Sequence, residues 1–485
     1  MKDLLKKLFG QSSTYAFGSI LARGIGLILL PVYTRYLTPA EYGIVAVAGI
    51  VVNILGDVLT GGSRGAALKF FYEYEGKSRR KFYGSLLTAL VLGGGGLFLF
   101  VDYFGEEIFG FALEKTPYSP YIRMALWMAF LKSALVKTVQ QRLKANEQAL
   151  AYTLINIGIA VCTAGLTVWW IVVEGDGAVG AVRGRLVGMA IMAVVCVGTI
   201  VPHARPAFNR TMLKRAFLYS IPLVPHYLSH WVLSSADRFL LERMASLSEV
   251  GVYNIGYKIG MGMSLIASSG NNSLVPLFGD LDTSDSNSVG KLSEIFTYYI
   301  FTVLLLGLCI SLFSEELIII VTSKEYYDAA GIVPWVVLGY IMMALYYSPT
   351  NLLTVTKGRS HVVGIATTIG AASNVGLNVL FIPYYGIYGA AVTTTVTYII
   401  MFLGVYAIAE REYSVPLEKR RVFILLGASI FTFGLGSVAA PDSMLTGILV
   451  KAGCLLVFPV ILWRTGILRE KEIRVIRQFI HKVVK

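Results

Sequence analysis

The chain carries little charge for its length and lacks the motifs of several large protein classes. Only 15% of its 485 residues are charged, whereas a soluble domain carries about 25%. Its four cysteines stand singly in apolar stretches, so no pair has metal-site or redox spacing. There is no P-loop and no nucleophile elbow. The sequence therefore argues against a soluble enzyme, a built-in ATPase and a disulfide- or Cys-metal-stabilised domain.

The chain instead contains long apolar runs. Hydrophobic residues make up 55% of the chain, and the mean hydropathy is +0.67. A membrane-spanning helix needs about 20 mostly apolar residues, and the first run lacks the cleavage site of a signal peptide. The sequence predicts an all-α membrane protein with about fourteen spans, at approximately 12–36, 42–66, 82–104, 118–139, 150–173, 178–201, 216–240, 249–275, 293–314, 330–353, 361–382, 387–409, 421–440 and 443–463.

The net charge of +13 is explained better by membrane topology than by nucleic-acid binding. The basic segments all fall on one side of the fourteen-span arrangement, around residues 2–7, 77–81, 142–144, 205–215, 357–359, 419–421 and the C-terminal tail. Only the acidic loop 280–285 dissents, and acids weigh little in this rule. We expect both termini to be cytoplasmic, and the amphipathic tail 466–485 to lie on the membrane surface.

An internal repeat divides the chain. Thr34–Gly49 resembles Asp237–Gly260, and residues 177–182 resemble 386–391, at offsets close to 208 residues. We therefore predict two six-helix lobes related by a pseudo-two-fold axis, 1–204 and 205–412, followed by helices 13 and 14 in 413–465. A substrate site would lie between such lobes near the midplane. Chance similarity among Gly/Ala/Val-rich helices is the alternative.

Several cations lie inside the predicted spans, with Asp57 as the only clearly embedded carboxylate. A cation at the bilayer centre costs about 2.5–3.5 kcal/mol and therefore needs a cavity or a partner. We expect a ligand to supply the negative charge that balances these cations. A cavity role is favoured for Arg23, Lys132 and Lys258, is balanced against snorkelling for Arg64 and Arg183, and is disfavoured for Lys137, Arg185 and Lys451, which are interpreted as structural.

Polar residues recur at helical spacing on other spans. Asn53, Asp57, Thr60 and Arg64 would line one face of span two. Asp57 could pair with a cation or bind a coupling ion, H⁺ or Na⁺. No cofactor is expected.

Span seven carries a histidine pair. His226 and His230 have the spacing of a metal pair, but no third ligand is evident. A proton-sensitive cavity lining and ordinary helix–helix hydrogen bonding are the alternatives. Pro31, Pro222 and Pro225 should bend their spans and serve as hinges.

Two runs carry a resemblance to a known family: Leu30–Gly43 (LPVYTRYLTPAEYG), and Asp237–Leu241 (DRFLL) with Val250–Ile259 (VGVYNIGYKI). They resemble polysaccharide flippases of the multidrug/oligosaccharidyl-lipid/polysaccharide exporter superfamily. The resemblance implies alternating-access translocation of undecaprenyl-pyrophosphate-linked O-antigen or exopolysaccharide units to the outer leaflet, coupled to ions or to membrane potential. It also implies cavity roles for Arg23 and Lys258. The expected partners are the lipid-linked oligosaccharide, membrane lipids and a glycan polymerase of the same pathway, with no nucleic acid.

Two other functions compete with this one. A cation-coupled multidrug exporter would share the fold, but cationic substrates need cavity carboxylates, which are scarce here. A membrane enzyme such as a glycan polymerase would need a substantial outer loop, and the longest, about 104–118, holds little beyond three glutamates and a lysine. We therefore expect a transporter rather than an enzyme.

Overall fold

In the computed structural model, the chain is built of α-helices joined by short turns. The structure describes residues 24–439, 441, 443–467 and 469, together with 14, 18 and 21. No strand occurs within these ranges, and the predicted all-α class is confirmed. Arg23, most of the first predicted span and nearly all of the tail 466–485 lie outside the described residues.

The helices of the first part of the chain are numbered in order. They are α1 (Leu30–Tyr36), α2 (Pro39–Leu59), α3 (Ser63–Glu73), α4 (Gly76–Thr88), α5 (Gly95–Tyr103), α6 (Gly105–Ala112), α7 (Arg123–Phe130), α8 (Lys137–Ala145), α9 (Ala149–Val168) and α10 (Gly177–Ile200). Wider π-helical turns occupy Ala89–Gly94, Tyr118–Ile122, Leu131–Val136 and Trp169–Val173.

The remaining helices follow in the same way. They are α11 (Arg210–Ser220), α12 (Val224–Met244), α13 (Leu247–Gly260), α14 (Gly262–Gly279), α15 (Ser286–Leu312), α16 (Ser314–Val321), α17 (Val333–Asn351), α18 (Ser360–Glu412), α19 (Lys419–Ala439), α20 (Met444–Leu455) and α21 (Val457–Arg464). Shorter segments are the 3₁₀ turns Val201–His203, Ile221–Leu223 and Lys324–Gly331 and the π turn Leu352–Thr356.

Nine helical segments within the described ranges are long and apolar enough to cross a membrane. The longest of them, α18, holds two predicted spans, because Gly386 interrupts it with φ 51° and ψ −129°. The amide of Asn374 donates to Thr397 Oγ1 over 3.3 Å, so the parts before and after the interruption run side by side. The count of fourteen spans stays a prediction.

The second predicted span, 42–66, is wrong as a continuous helix. Helix α2 begins with a capping box in which Thr38 and Glu41 bond each other's backbone N–H, with Pro39 in the first turn. It ends at Leu59, because Gly61 and Gly62 both adopt positive φ, at 58° and 64°. Arg64 therefore belongs to the next helix, α3.

Span seven is interrupted where its prolines predict a bend. Helix α11 ends at Ser220, a 3₁₀ turn containing Pro222 follows, and α12 begins at Val224 with Pro225 in its first turn. The missing N–H of each proline makes an unbroken helix unfavourable there. The interruption lies where the prolines are, and the bend itself and its use as a hinge stay predictions.

The acidic loop 280–285 has local structural roles. Asp285 caps α15 by accepting from the backbone N–H groups of Asn287 and Ser288. Hydrogen bonds from the hydroxyl and backbone of Ser284 hold the pKa of Asp282 below its ordinary value. The acids of this loop therefore cap and order the chain, which accounts for their presence among basic loops.

The chain packs as two compact units. One comprises Met1–Ile255, Val321–Tyr326 and Val375–Ala390, and the other comprises Gly256–Ile320, Tyr327–Asn374 and Ala391–Lys485. These units do not test the predicted lobe boundaries at 204/205 and 412/413, which stay predictions.

Candidate functional site

Asp57 lies at the centre of a cluster of cations in the first compact unit. Its Oδ1 is 2.9 Å from Lys137 Nζ, and its Oδ2 is 3.5 Å from an Arg64 guanidinium nitrogen. One turn earlier on α2, Asn53 Oδ1 accepts from Lys132 Nζ over 2.8 Å. Three cations around one carboxylate give these side chains a net positive formal charge. Such an arrangement favours an anion nearby.

A π-helical turn brings the two lysines to this cluster. Leu131–Val136 adopts the wider turn, and α8 begins at Lys137. Because hydrogen bonds in such a turn join residues five apart, Lys132 and Lys137 come onto neighbouring parts of the same surface. The sequence favours a structural role for Lys137. In the structure its amine pairs directly with the Asp57 carboxylate.

Gly56 permits the close approach of α2 to this lysine-bearing segment. A Cβ at Gly56 would overlap Ser133 Oγ and lie 3.4 Å from the carbonyl oxygen of Ala129. Because Gly56 has no side chain, the segment that carries Lys132 and Lys137 can approach α2 closely beside Asp57.

A cavity of about 200 Å³ opens beside Asp57. The ends of α2 and α3 form one wall, and one face of α12 forms the other; the lining residues are Asn53, Ile54, Asp57, Val58, Arg64, Val224, Tyr227, Leu228, Trp231, Ser234 and Ser235. The α12 residues recur at spacings of three and four, which is one helical face. This pattern is visible in the sequence, but the polar residues of the same helix led to the prediction at His226 and His230.

Polar groups of α12 face the cations across this cavity. The Arg64 guanidinium lies 3.9 Å from the centre of the Tyr227 ring, a cation–π contact. The indole N–H of Trp231 is buried without an acceptor among the described residues. An unpaired buried donor is costly. This nitrogen has almost no accessible surface, so it is not open to the cavity in this structure.

The other predicted site residues are placed elsewhere. Arg183 pairs with Asp176 over 2.6 Å at the start of α10, with 44% of its side chain exposed. His226 is exposed on α12 and is not among the described residues that line the cavity. Lys258 lies in the last turn of α13, in the second unit. Arg23 and the side chain of His230 lie outside what the structure describes.

Two cations interpreted as structural from the sequence have protein partners. Arg185 donates to the Tyr33 hydroxyl over 3.1 Å. Lys451, 4% exposed, lies 2.7 Å from the Glu316 carboxylate. Each is therefore held by protein groups, as a buried charge requires.

Asp57 is not the only embedded carboxylate, and this expectation was wrong. Asp237 is 2% exposed and accepts from the Tyr253 hydroxyl over 2.5 Å. Glu242 is fully buried and accepts from the backbone N–H of Lys115 and Thr116, both over 2.7 Å. Both residues fall near the predicted end of span seven, where the sequence offered no reason to expect burial.

The sequence of this chain matches a family model and known membrane proteins. The family model described as "Polysaccharide biosynthesis protein" matches residues 10–282, more than half of the chain. An uncharacterized membrane protein of Methanocaldococcus jannaschii is 26% identical over 227 residues. That match covers 44% of this chain and only 44% of the relative.

Solved transporter structures share the fold. Lipid II flippase MurJ, in an inward closed conformation, matches with a TM-score of 0.71 at 16% identity, over 95% of this chain and 100% of that one. An inward-facing multidrug resistance MATE family transporter of the MOP superfamily matches with a TM-score of 0.62 at 17% identity, over 82% and 94%. At such identities the likeness is one of fold. The chain is thus a multi-pass membrane protein and belongs to the polysaccharide biosynthesis protein family.

Proposed function

We propose that this protein translocates undecaprenyl-pyrophosphate-linked oligosaccharide units from the cytoplasmic to the outer leaflet of a bacterial inner membrane. The observation that carries the proposal is the net positive cluster around Asp57, beside a cavity of about 200 Å³. Membership of a polysaccharide biosynthesis family and a flippase-like fold support a lipid-linked glycan as the substrate.

The cavity fits the headgroup rather than the whole substrate. Since a water molecule takes about 30 Å³ of liquid, 200 Å³ holds roughly seven waters. This volume is suited to a phosphate group, and the glycan would extend outside it. The Arg64 guanidinium would donate to phosphate oxygens, and charge-assisted bonds of this kind are the strong ones.

Lys137 has a distinct part in this scheme. By pairing with Asp57 at 2.9 Å it takes up the carboxylate's charge, so that Arg64, at 3.5 Å, is available to an anion. Protonation of Asp57, or entry of Na⁺ beside it, would release Lys137 as a further cation for the diphosphate. Ion entry and headgroup binding would then be coupled at one carboxylate.

The same proposal includes alternating access between two lobes. A glycan headgroup and its diphosphate cannot cross hydrocarbon without a hydrated path, and a cavity opened to each side in turn supplies one. Arg23 and Lys258 are proposed to contribute positive charge along this path. Arg183, His226 and His230 stay predicted contacts outside the Asp57 cavity.

The direct test is flipping of a defined undecaprenyl-pyrophosphate oligosaccharide in proteoliposomes. Arg64→Ala and Lys137→Ala should each slow flipping about tenfold or more, because each removes a charge-assisted interaction. Lys144→Ala is the matched control, since Lys144 is exposed on the same helix as Lys137. Arg23→Ala and Lys258→Ala, expressed normally, should also lower surface-glycan export. Wild-type flipping by folded Arg64 and Lys137 variants would refute the site.

A cation-coupled multidrug exporter is the second candidate, favoured by the fold shared with a MATE transporter. It predicts efflux of cationic dyes that depends on Asp57. The excess of cations around that carboxylate opposes a cationic substrate by like-charge repulsion. Dye efflux without any flipping would favour this candidate.

A further inference from the structure

Parts of three basic segments that lie far apart in the sequence meet in the first compact unit. The backbone N–H of Arg205 donates to the Arg80 carbonyl over 3.0 Å. A Cβ on Gly84 would overlap the Arg205 carbonyl oxygen, so the chain that follows α10 lies directly against α4. Arg142, in the last turn of α8, has Arg79 of α4 as an electrostatic neighbour. All three segments are predicted on the cytoplasmic side, so their positive charges are concentrated at one place there.

Arg142 is buried in this cluster without a protein partner. Arg142, Arg238 and Lys451 are the most buried cations of the described chain, at 8%, 6% and 4% exposed. Lys451 pairs with the Glu316 carboxylate over 2.7 Å. Arg238 donates to the Ser234 carbonyl over 2.8 Å. The Arg142 guanidinium has no ion pair and no hydrogen bond with any residue that the structure describes. Because a buried charge is costly unless it is paired, Arg142 calls for an anion from outside the chain.

The position of Arg142 is separate from the Asp57 cavity and is not sealed. Its guanidinium nitrogens, unlike the indole nitrogen of Trp231, are not among the described atoms that are both unpaired and closed to solvent. Arg142 lies five residues beyond Lys137 on α8, about 7.5 Å along the helix and on another face. It does not line the cavity beside Asp57. Arg142 therefore offers a second position for an anion.

More positive charge lies around Arg142, and its orientation is fixed. His203, in the 3₁₀ turn after α10, has Arg142 and Arg80 as electrostatic neighbours. Arg79 is held in place because its Nε donates to the Tyr74 carbonyl over 2.7 Å. None of Arg79, Arg80 and Arg142 forms an ion pair with a carboxylate of the described chain. Oriented arginines without acids favour a phosphate, which a guanidinium binds through two parallel N–H donors.

We propose that Arg142, with Arg79 and His203, binds the phosphate of an anionic phosphoglycerolipid on the cytoplasmic side of the membrane. The proposal does not depend on the proposed transport function. Basic pockets between membrane helices on that side bind lipid head groups, and the negative surface potential of the leaflet attracts basic segments to it. Two apolar side chains of the segment after α10 are exposed, Val201 at 60% and Phe208 at 69%. They favour a lipid over a free ion, because acyl chains would cover them.

Thermal melts of the purified full-length protein in neutral detergent test the site. Phosphatidylglycerol should raise the unfolding midpoint of the parent, since a ligand that binds only the folded state stabilises it. Phosphatidylcholine at the same concentration should not. Without added lipid, Arg142→Gln should melt at or above the midpoint of the parent, because the variant removes a buried charge that no protein group compensates.

Titration of phosphatidylglycerol, followed by native mass spectrometry, measures the affinity. Arg142→Gln should weaken binding about tenfold or more, because charge-assisted hydrogen bonds are lost. Lys144→Gln is the matched control, since Lys144 is exposed on the same helix, and it should bind as the parent does. His203→Gln should weaken binding severalfold and tests the site even if Arg142→Gln does not fold.

Equal affinity of the parent and both site variants for phosphatidylglycerol would overturn the site. Equal stabilisation of the parent by phosphatidylcholine would overturn it as well, since that lipid carries no net charge. Stabilisation by millimolar inorganic phosphate that matches phosphatidylglycerol and is lost in Arg142→Gln would keep the phosphate site and overturn the lipid as its source.

Discussion

Lys451 and Glu316 show what a buried charge in this protein requires. They are 4% and 6% exposed, and their charged atoms lie 2.7 Å apart. Glu315 adds a second, longer contact at 3.4 Å from a mostly exposed side chain. The pair joins α16 to α20, two elements far apart in sequence. Removing one partner of a buried pair leaves the other without compensation, which typically costs about 3–5 kcal/mol.

We therefore expect Lys451→Met to lower the thermal unfolding midpoint of the purified protein, because Glu316 would stay buried without its cation. Lys451→Met combined with Glu316→Gln should recover most of the loss, since no uncompensated charge remains. Light-scattering or tryptophan-fluorescence melts in detergent would measure both. A single variant as stable as the parent would show that the pair contributes nothing.

The Asp57 cluster differs from this pair in the number of cations that surround its carboxylate. Here two cations, Lys137 and Arg64, pair with one carboxylate, and a third cation, Lys132, bonds the neighbouring Asn53. About a third of the Arg64 side chain is exposed. The depth of the cations in apolar spans could be read from the sequence. The sequence did not show which of these cations reach the carboxylate. Lys137 reaches it because of a π-helical turn, and Arg64 because the helix is interrupted at Gly61–Gly62. Both are departures from regular helix geometry that apolar periodicity does not encode.

At the scale of single elements, α2 has two close approaches and one open glycine position. Gly43 meets the backbone of α13, Gly56 meets Ser133, and Gly49 between them meets nothing within 4 Å. The same residue type on the same helix therefore has different importance at each position. The sequence shows three glycines, and only packing distinguishes them.

Gly56→Ala should both destabilise the protein and slow glycan flipping. The added methyl group would push α2 away from Ser133, and overpacking of this kind costs about 1–3 kcal/mol. The same displacement would lengthen the pair between Asp57 and Lys137. Gly49→Ala serves as the control and should match the parent in melting and flipping; equal behaviour of the two variants would contradict the close approach.

At the scale of the whole molecule, membrane orientation depends on where positive charge is placed. Lys and Arg cluster in alternate loops of the predicted topology, and such loops are retained on the cytoplasmic side. The proposed direction of glycan transport depends on this orientation.

Fusions to each terminus would measure the orientation in cells. Green fluorescent protein at the N- or C-terminus should fluoresce, and alkaline phosphatase at the same positions should be inactive, because both termini are expected in the cytoplasm. Phosphatase fused in the loop near residue 175 should be active. An active phosphatase at the C-terminus would contradict the predicted topology.

The sequence by itself determined the solvent and the class of fold, and it predicts a negative charge near the embedded cations. Apolar runs of spanning length permit only helices in lipid, and embedded cations demand an anion or a partner. Tertiary structure decided which charges meet. Lys451 finds Glu316, Lys137 finds Asp57, and Arg183 finds Asp176. It also placed Gly43 of α2 against the backbone of α13, where a Cβ would overlap the carbonyl oxygen of Leu247. The physical reason is that pairing and close approach depend on distances between helices, and those distances follow from helix breaks, wide turns and glycine contacts rather than from hydrophobic periodicity.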